Sequence, residues 1–235
     1  MTIEEEAHAD PHDLPRQRRG VAPQGVGRYP DWDVLSQRGH WDEVTRDVVL
    51  ERVEKVPSIS FFGDAEAATL TAFCDVATAQ DAEPRIHVLA YIDEKLASGE
   101  RDGWQYYDLP DDGELWKLVA RGLDREAQHI GFATFDEAPL ESQTGIVHRF
   151  SHAGLHGGVW DEVNVARAWK VVMRYVVQAY YAHPWAWNEI GFGGPAYPRG
   201  YGAFGSPELG EEESWEAAEV MHLDPVPDVE ERGLD

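Results

Sequence analysis

The sequence predicts an all-α protein: a single irregular bundle of about six helices, with an extended N-terminal arm and a Gly/Pro/aromatic C-terminal loop. Apolar residues recur at helical spacing in successive segments from residue 41 to residue 181. No segment alternates β-branched and polar residues over the length of a strand bounded by turns. The 235 residues, of which 43% are hydrophobic, are enough to form one sizeable core.

The first four helices are predicted between residues 41 and 128. The first begins near Trp41 and ends before Pro57, because a proline disfavours the helical conformation of the residue that precedes it. The second begins at Asp64, an N-cap candidate, and the third ends at Ser98-Gly99. The fourth lies within 114–128. Their apolar stripes are Val44, Val48, Val49 and Val53; Ala67, Leu70, Cys74 and Ala77; Leu89, Ile92 and Leu96; and Leu115, Leu118, Val119 and Leu123.

Two further helices complete the predicted bundle. The fifth runs from Phe135 to Phe150, with Pro139 tolerated in its first turn. The sixth begins at Asp161, is the longest, and stops at His183-Pro184. Its second half is apolar nearly all round, which predicts a place in the core. The stripes are Leu140, Gln143, Ile146, Val147 and Phe150 in the fifth helix, and Val163, Ala166, Trp169, Met173, Val176, Val177 and Tyr180 in the sixth.

The ends of the chain differ in composition from the helical part. The first 40 residues are rich in Pro, Gly, Asp and Arg, yet carry apolar groups that would gain from burial against this chain or a partner. After the sixth helix, the density of Gly and Pro predicts an ordered loop without a regular element. The predicted parts are the arm (1–40), the helical domain (41–205, including the aromatic loop 183–205) and an acidic tail (206–235).

The net charge of −24 disfavours binding to nucleic acid or to anionic membrane surfaces. No apolar run reaches the roughly 20 residues that a bilayer span requires. Cys74 is the single cysteine, so no internal disulfide is expected. Arg18-Arg19 leads into no apolar stretch, so no export signal is recognisable, and these observations leave the compartment open.

The sequence offers few candidates for catalysis. His148, His152 and His156 recur at helical spacing, and two of them could seat a metal ion together with a carboxylate such as Asp161 or Glu162. A stand-alone metal-dependent enzyme is therefore one alternative, although polar contacts at a helix end explain these histidines more simply. The glycines in 200–205 fit a dinucleotide pattern but lack its strand-turn-helix context. We predict no catalytic, metal-binding or cofactor-binding residue in this chain.

The sequence is richer in groups suited to interaction. The aromatic rings of the loop could stack on sugar rings, so an aromatic-loop sugar-binding module is a second alternative. Aromatic side chains are also typical anchors of protein interfaces, and a partner subunit fits the arm, loop and tail together. The residues predicted to bind this partner are Tyr29, Trp32, His183, Trp185, Trp187, Asn188, Glu189, Phe192, Tyr197 and Tyr201.

The segment from Tyr181 to Tyr201, YAHPWAWNEIGFGGPAYPRGY, resembles the C-terminal signature of the gluconate 2-dehydrogenase subunit 3 family. Upstream residues agree with this resemblance, which covers about residues 58–202 and leaves the arm and tail outside. These are Phe61-Phe62 before Leu70 and Phe73, the run Tyr91-Ile92-Asp93-Glu94-Lys95-Leu96, and Phe135, Leu140 and Gln143 before Phe150.

The resemblance implies a non-catalytic, chaperone-like small subunit that stabilises a large flavoprotein subunit. That partner belongs to the glucose-methanol-choline oxidoreductase family, holds FAD and oxidises a sugar or polyol. A cytochrome c or another acceptor takes the electrons. Many family members carry a twin-arginine signal, and this chain departs from that pattern, which favours a cytoplasmic complex.

Overall fold

The computed structural model describes residues 33–80, 83–100, 102–190 and 192–195. Within these ranges the chain forms seven α-helices and two short 3-10 helices, with no strand, which confirms the all-α prediction. The α-helices are α1 (Glu43–Glu54), α2 (Asp64–Ala77), α3 (Val88–Ser98), α4 (Asp112–His129), α5 (Leu140–Ser151), α6 (Val165–Tyr181) and α7 (Pro184–Ile190). The 3-10 helices are Val34–His40 and Gly158–Asp161.

The chain divides into two compact units. The second unit comprises Val56–Gln80 and His87–Tyr180, and so holds α2 to α5 and nearly all of α6. Of the described residues, the first unit contains 33–55, 83–86, 181–190 and 192–195, which include α1 and α7. None of the helices in the described part of the chain is long and apolar enough to cross a membrane.

The second unit is built around α2, which packs against α3, α4 and α5. Its interior is a chain of aromatic rings in edge-on and tilted contact, from Phe73 on α2 to Trp116 on α4 and Phe150 on α5, with ring centroids 6.2 Å apart in both pairs. Trp169 of α6 joins the cluster through Phe150. Such pairs add about 0.5–1.5 kcal/mol each beyond the apolar area they bury.

A buried carboxylate fixes the segment that precedes α2. Asp93 of α3 is fully buried and accepts backbone N–H groups of Ser60, Phe61 and Phe62 at 2.7–3.1 Å. The Ser60 hydroxyl lies 3.3 Å from the same carboxylate. Several donors compensate one buried charge, so the start of α2 is held against α3.

Some predicted helix ends are confirmed and others are wrong. The fifth helix was predicted to begin at Phe135, but α5 begins at Leu140, directly after its N-cap Pro139. Asp64 is the first residue of α2, and Gly63 is its N-cap.

Gly99, in the left-handed conformation at φ 73°, ends α3 as the Ser98-Gly99 pair predicted. The prediction for the sixth helix was too long at its start, because Asp161 ends a 3-10 helix and accepts the Gly157 N–H at 3.0 Å. α4, with 18 residues, is one residue longer than α6.

The predicted apolar face of α1 is wrong in part. Val49 and Val53 are buried, whereas Val44 and Val48 are exposed. The sequence contains both pairs at the same i, i+4 spacing, so periodicity alone did not choose between them.

Two predictions of irregular structure are corrected in the first unit. The arm was expected to be extended to residue 40, but its described end is the 3-10 helix Val34–His40, with Val34 and Leu35 buried. The aromatic loop was expected to contain no regular element, but Pro184–Ile190 is α7. Pro184 occupies the first position of that helix, where a missing N–H costs nothing.

Candidate functional site

The histidine near the start of the signature segment, His183, makes its contacts inside the fold. His183 is buried, and its Nδ1 accepts the backbone N–H of Trp185 at 3.2 Å. The ring proton of a neutral His183 therefore lies on Nε2. The ring also contacts the Trp185 ring, with centroids 4.9 Å apart. These contacts link the end of α6 to the first turn of α7.

Trp187 contacts its own chain through both its indole N–H group and its ring. Its indole Nε1 donates to the carbonyl oxygen of Tyr181 at 2.6 Å, and only 7% of the residue is exposed. Phe192 packs edge-on against the indole ring at 5.5 Å. Trp187 thus joins the last residue of α6 to the chain that follows α7.

Asn188 connects α7 to the N-terminal 3-10 helix of the first unit. Its side-chain Oδ1 accepts the backbone N–H of Val34 at 2.8 Å, and the residue is buried. Arg52 of α1 donates to the carbonyl oxygen of Ala182 at 2.9 Å. Gly194 lies so close to Val34 and Trp41 that a Cβ would stand 2.9 Å from each. The described residues of the signature segment therefore pack against both the N-terminal 3-10 helix and α1 of this unit.

The structure brings together six of the residues predicted to bind a partner. His183, Trp185, Trp187 and Asn188 are buried, so their described contacts are with their own chain. Glu189 and Phe192 are half-buried. Tyr29, Trp32, Tyr197 and Tyr201 lie outside the described residues. Buried indole faces give no platform for a sugar, so Trp185 and Trp187 do not support the aromatic-loop sugar-binding alternative.

Two side chains that sequence reasoning did not select are exposed beside this centre. Ile190 ends α7 with 51% of its surface exposed, and Tyr181 ends α6 with 43% exposed. Burial of the phenol, with a further contribution from the Glu189 charge, raises the pKa of Tyr181. Both residues belong to the signature, but their exposure follows from helix packing and has no local sequence signal.

The histidines of α5 are explained by contacts at a helix end. His148 and His152 stack with ring centroids 4.3 Å apart, and His152 Nδ1 lies 2.9 Å from the carbonyl oxygen of His148. Among residues 33–80, 83–100, 102–190 and 192–195, no three His, Cys, Asp or Glu side chains are grouped to hold a metal ion. The metal-enzyme alternative gains no support from this part of the chain.

Sequence reasoning also missed a polar network in the second unit. Lys95 Nζ lies 2.6 Å from Asp102 Oδ1, and Arg174 Nε lies 3.0 Å from Asp102 Oδ2. The Tyr175 hydroxyl donates to Asp112 Oδ2 at 2.6 Å. The hydrogen bond and charge of Lys95 lower the pKa of Asp102 despite partial burial. The residues come from α3, the following loop, α4 and α6, and this separation in sequence hides them from local patterns.

The comparisons with known proteins identify the class. The model of the gluconate 2-dehydrogenase subunit 3 family matches residues 64–194, from the first residue of α2 into the signature segment beyond α7. The matched region exceeds half of the 235 residues, and the chain belongs to this family. It is thus of the accessory-subunit type found in a dehydrogenase complex. No curated protein and no solved structure matches the chain.

Proposed function

We propose that this chain is the non-catalytic small subunit of a heteromeric sugar or polyol dehydrogenase. In this proposal the large subunit is a flavoprotein of the glucose-methanol-choline family, binds FAD and carries out the oxidation. The observation that carries the proposal is membership of the subunit 3 family over α2 to α7. A cytochrome c or another acceptor receives the electrons, and the complex is cytoplasmic.

The small subunit stabilises the large one by covering its apolar surface. Exposed apolar side chains are the groups that gain most from such contact, because their burial removes apolar area from water. Ile190 is such an exposed apolar side chain, and it lies at the end of α7 within the matched region. The buried indoles of Trp185 and Trp187 act indirectly, since they hold α7 in the position from which Ile190 is presented.

The test is co-expression of this chain with the flavoprotein encoded nearest to it. A tag on this chain should recover the large subunit, and the complex should show a flavin spectrum after size exclusion. The large subunit expressed alone should be insoluble or free of flavin. Recovery of a soluble, flavin-loaded large subunit without this chain would refute the stabilising role, and failure to co-purify would refute the partnership.

Two substitutions distinguish a loss of contact with the large subunit from a loss of stability of this chain. Ile190→Ser should reduce recovery of the large subunit while this chain keeps its melting temperature, because the side chain is half exposed. Trp187→Ala should instead destabilise the chain by about 3–5 kcal/mol, since it removes a buried ring. Ile130→Ser, at an exposed apolar position just after α4, is the matched control. Full recovery with Ile190→Ser would exclude Ile190 from the interface.

A further inference from the structure

The second unit contains a small cavity beside the loop between α3 and α4. Its volume is about 230 Å³, and its lining is Gly103, Trp104, Gln105 and Asp112. A single water needs roughly 10–15 Å³ of such space, and drug-sized ligands occupy clefts of about 300–1,000 Å³. The cavity therefore has the size for one small ligand.

Trp104 gives the cavity a fixed aromatic wall. The residue is 55% exposed, and it lines the cavity. The Arg174 guanidinium lies 4.7 Å from the ring centroid, and Tyr106 contacts the ring edge-on at 5.1 Å. These neighbours set the orientation of the ring before any ligand arrives, which lowers the entropic cost of binding.

Asp112 supplies a positioned hydrogen-bond acceptor. Its Oδ2 accepts the Tyr175 hydroxyl at 2.6 Å, and Arg174 Nη2 lies 3.8 Å from the same oxygen. Burial and the adjacent carboxylate raise the pKa of Tyr175, so the phenol stays protonated and keeps donating. Within the described residues no hydrogen bond to Asp112 Oδ1 is recorded, which leaves that oxygen to accept a hydroxyl from a ligand.

The charges behind the cavity balance. Lys95 and Arg174 contribute two positive charges, and Asp102 and Asp112 contribute two negative charges, all joined by the contacts described above. A balanced set gives no net attraction to an anion or a cation. A neutral ligand rich in hydroxyl groups therefore fits the Trp104 ring and the Asp112 carboxylate better than a charged ligand does.

We propose that this cavity binds a neutral polyhydroxyl ligand, either one sugar ring or a short polyol. Trp104 stacks on the C–H face of the ligand, and Asp112 accepts one of its hydroxyl hydrogens. The site is separate from the signature segment of α7 and does not depend on the proposed role in a dehydrogenase complex.

The experiment is a titration of the full chain with D-glucose and with sorbitol, followed by saturation-transfer NMR and tryptophan fluorescence. At least one of the two should bind saturably at millimolar concentration. Gluconate serves as the charged comparison and should bind at least tenfold more weakly. If neither D-glucose nor sorbitol binds saturably, the proposal is wrong. If gluconate binds more tightly than both, the assignment of a neutral ligand is wrong.

Three variants locate the binding. Trp104→Ala should reduce affinity at least tenfold, and Asp112→Asn should reduce it severalfold, each with the fold checked by circular dichroism. Tyr107→Ala is the matched control, because Tyr107 is an exposed aromatic of the same loop that does not line the cavity. Unchanged affinity in Trp104→Ala would place the ligand elsewhere. Co-purification of the flavoprotein is measured separately, so failure here leaves the subunit proposal standing.

Discussion

Single buried polar side chains set the path of the backbone at two points of this chain. Asp93 holds the segment before α2, and Asn188 holds the N-terminal 3-10 helix against α7. Each accepts a buried backbone N–H group, of Phe62 for Asp93 and of Val34 for Asn188, and leaving such a group without a partner costs about 1–3 kcal/mol. Both lie in stretches that resemble the family, so the family pattern includes residues that build the fold.

Asp93→Asn should destabilise the second unit by about 3 kcal/mol. The substitution removes a charge that accepts three backbone N–H groups, and it brings an amide donor toward those donors. Urea denaturation followed by circular dichroism measures the change. Glu94→Gln is the control, because Glu94 is the exposed neighbour on α3 and its loss should change stability little. Equal stability of the two variants would show that the Asp93 charge is not needed.

The Asp102 network makes the free energy of unfolding depend on pH. Lys95 lowers the pKa of Asp102 below its ordinary value, so the ionised carboxylate stabilises the folded state above about pH 4. This contribution is lost as the pH falls through the folded-state pKa. Asp102→Asn should therefore be less stable than the native chain at pH 7, and the difference should shrink below about pH 4.

Urea denaturation at a series of pH values tests this expectation. Glu100→Gln is the matched control, since Glu100 is an exposed carboxylate two residues away. A difference between Asp102→Asn and the native chain that stays constant from neutral to acid pH would mean that folding does not lower the pKa of Asp102 and that its charge does not stabilise the folded state.

At the scale of the elements, the sequence predicts where helices lie better than which face is buried. Gly99 marks the end of α3 through its own backbone preference. Pro139 was placed inside the predicted fifth helix, but it is the N-cap of α5. The buried face of α1 depends on what packs against it, which no local pattern records. Leu140 and Val177 likewise lie in predicted stripes and are exposed.

The helix α7 was missed because glycine and proline were counted over too long a window. Between residues 184 and 190 Pro184 is the only proline, at a position compatible with a helix start, and no glycine occurs.

The polar network and its cavity were missed for another reason. Lys95, Asp102, Asp112 and Arg174 approach one another only after four elements have packed.

Two helical glycines give a paired test of packing. A Cβ at Gly122 of α4 would collide with the buried ring of Trp160, so Gly122→Ala should destabilise the chain by about 1–3 kcal/mol. A Cβ at Gly145 of α5 meets nothing within 4 Å, so Gly145→Ala should stabilise it by up to about 1 kcal/mol. Melting temperatures of the two variants should move in opposite directions. A rise for Gly122→Ala would contradict the close approach of α4 to Trp160, and a fall for Gly145→Ala would contradict the open space at Gly145.

At the scale of the whole molecule, acidic residues outnumber basic ones by more than two to one. With 44 Asp and Glu against 20 Lys and Arg, one-to-one pairing would still leave 24 carboxylates unpaired. Exposed ion pairs contribute only about 0–1 kcal/mol each, and the described pairs Lys55–Glu51 and Lys117–Glu114 lie at the surface. Repulsion among the remaining carboxylates therefore opposes compactness.

The melting temperature of the isolated chain should rise as sodium chloride is increased from low concentration to about 0.1 M, where the Debye length is about 10 Å. Screening weakens long-range repulsion between exposed carboxylates more than it weakens the short, partly buried contacts of Asp102 with Lys95 and Arg174. A fall in melting temperature with salt would mean that attractive pairs outweigh the net charge of −24.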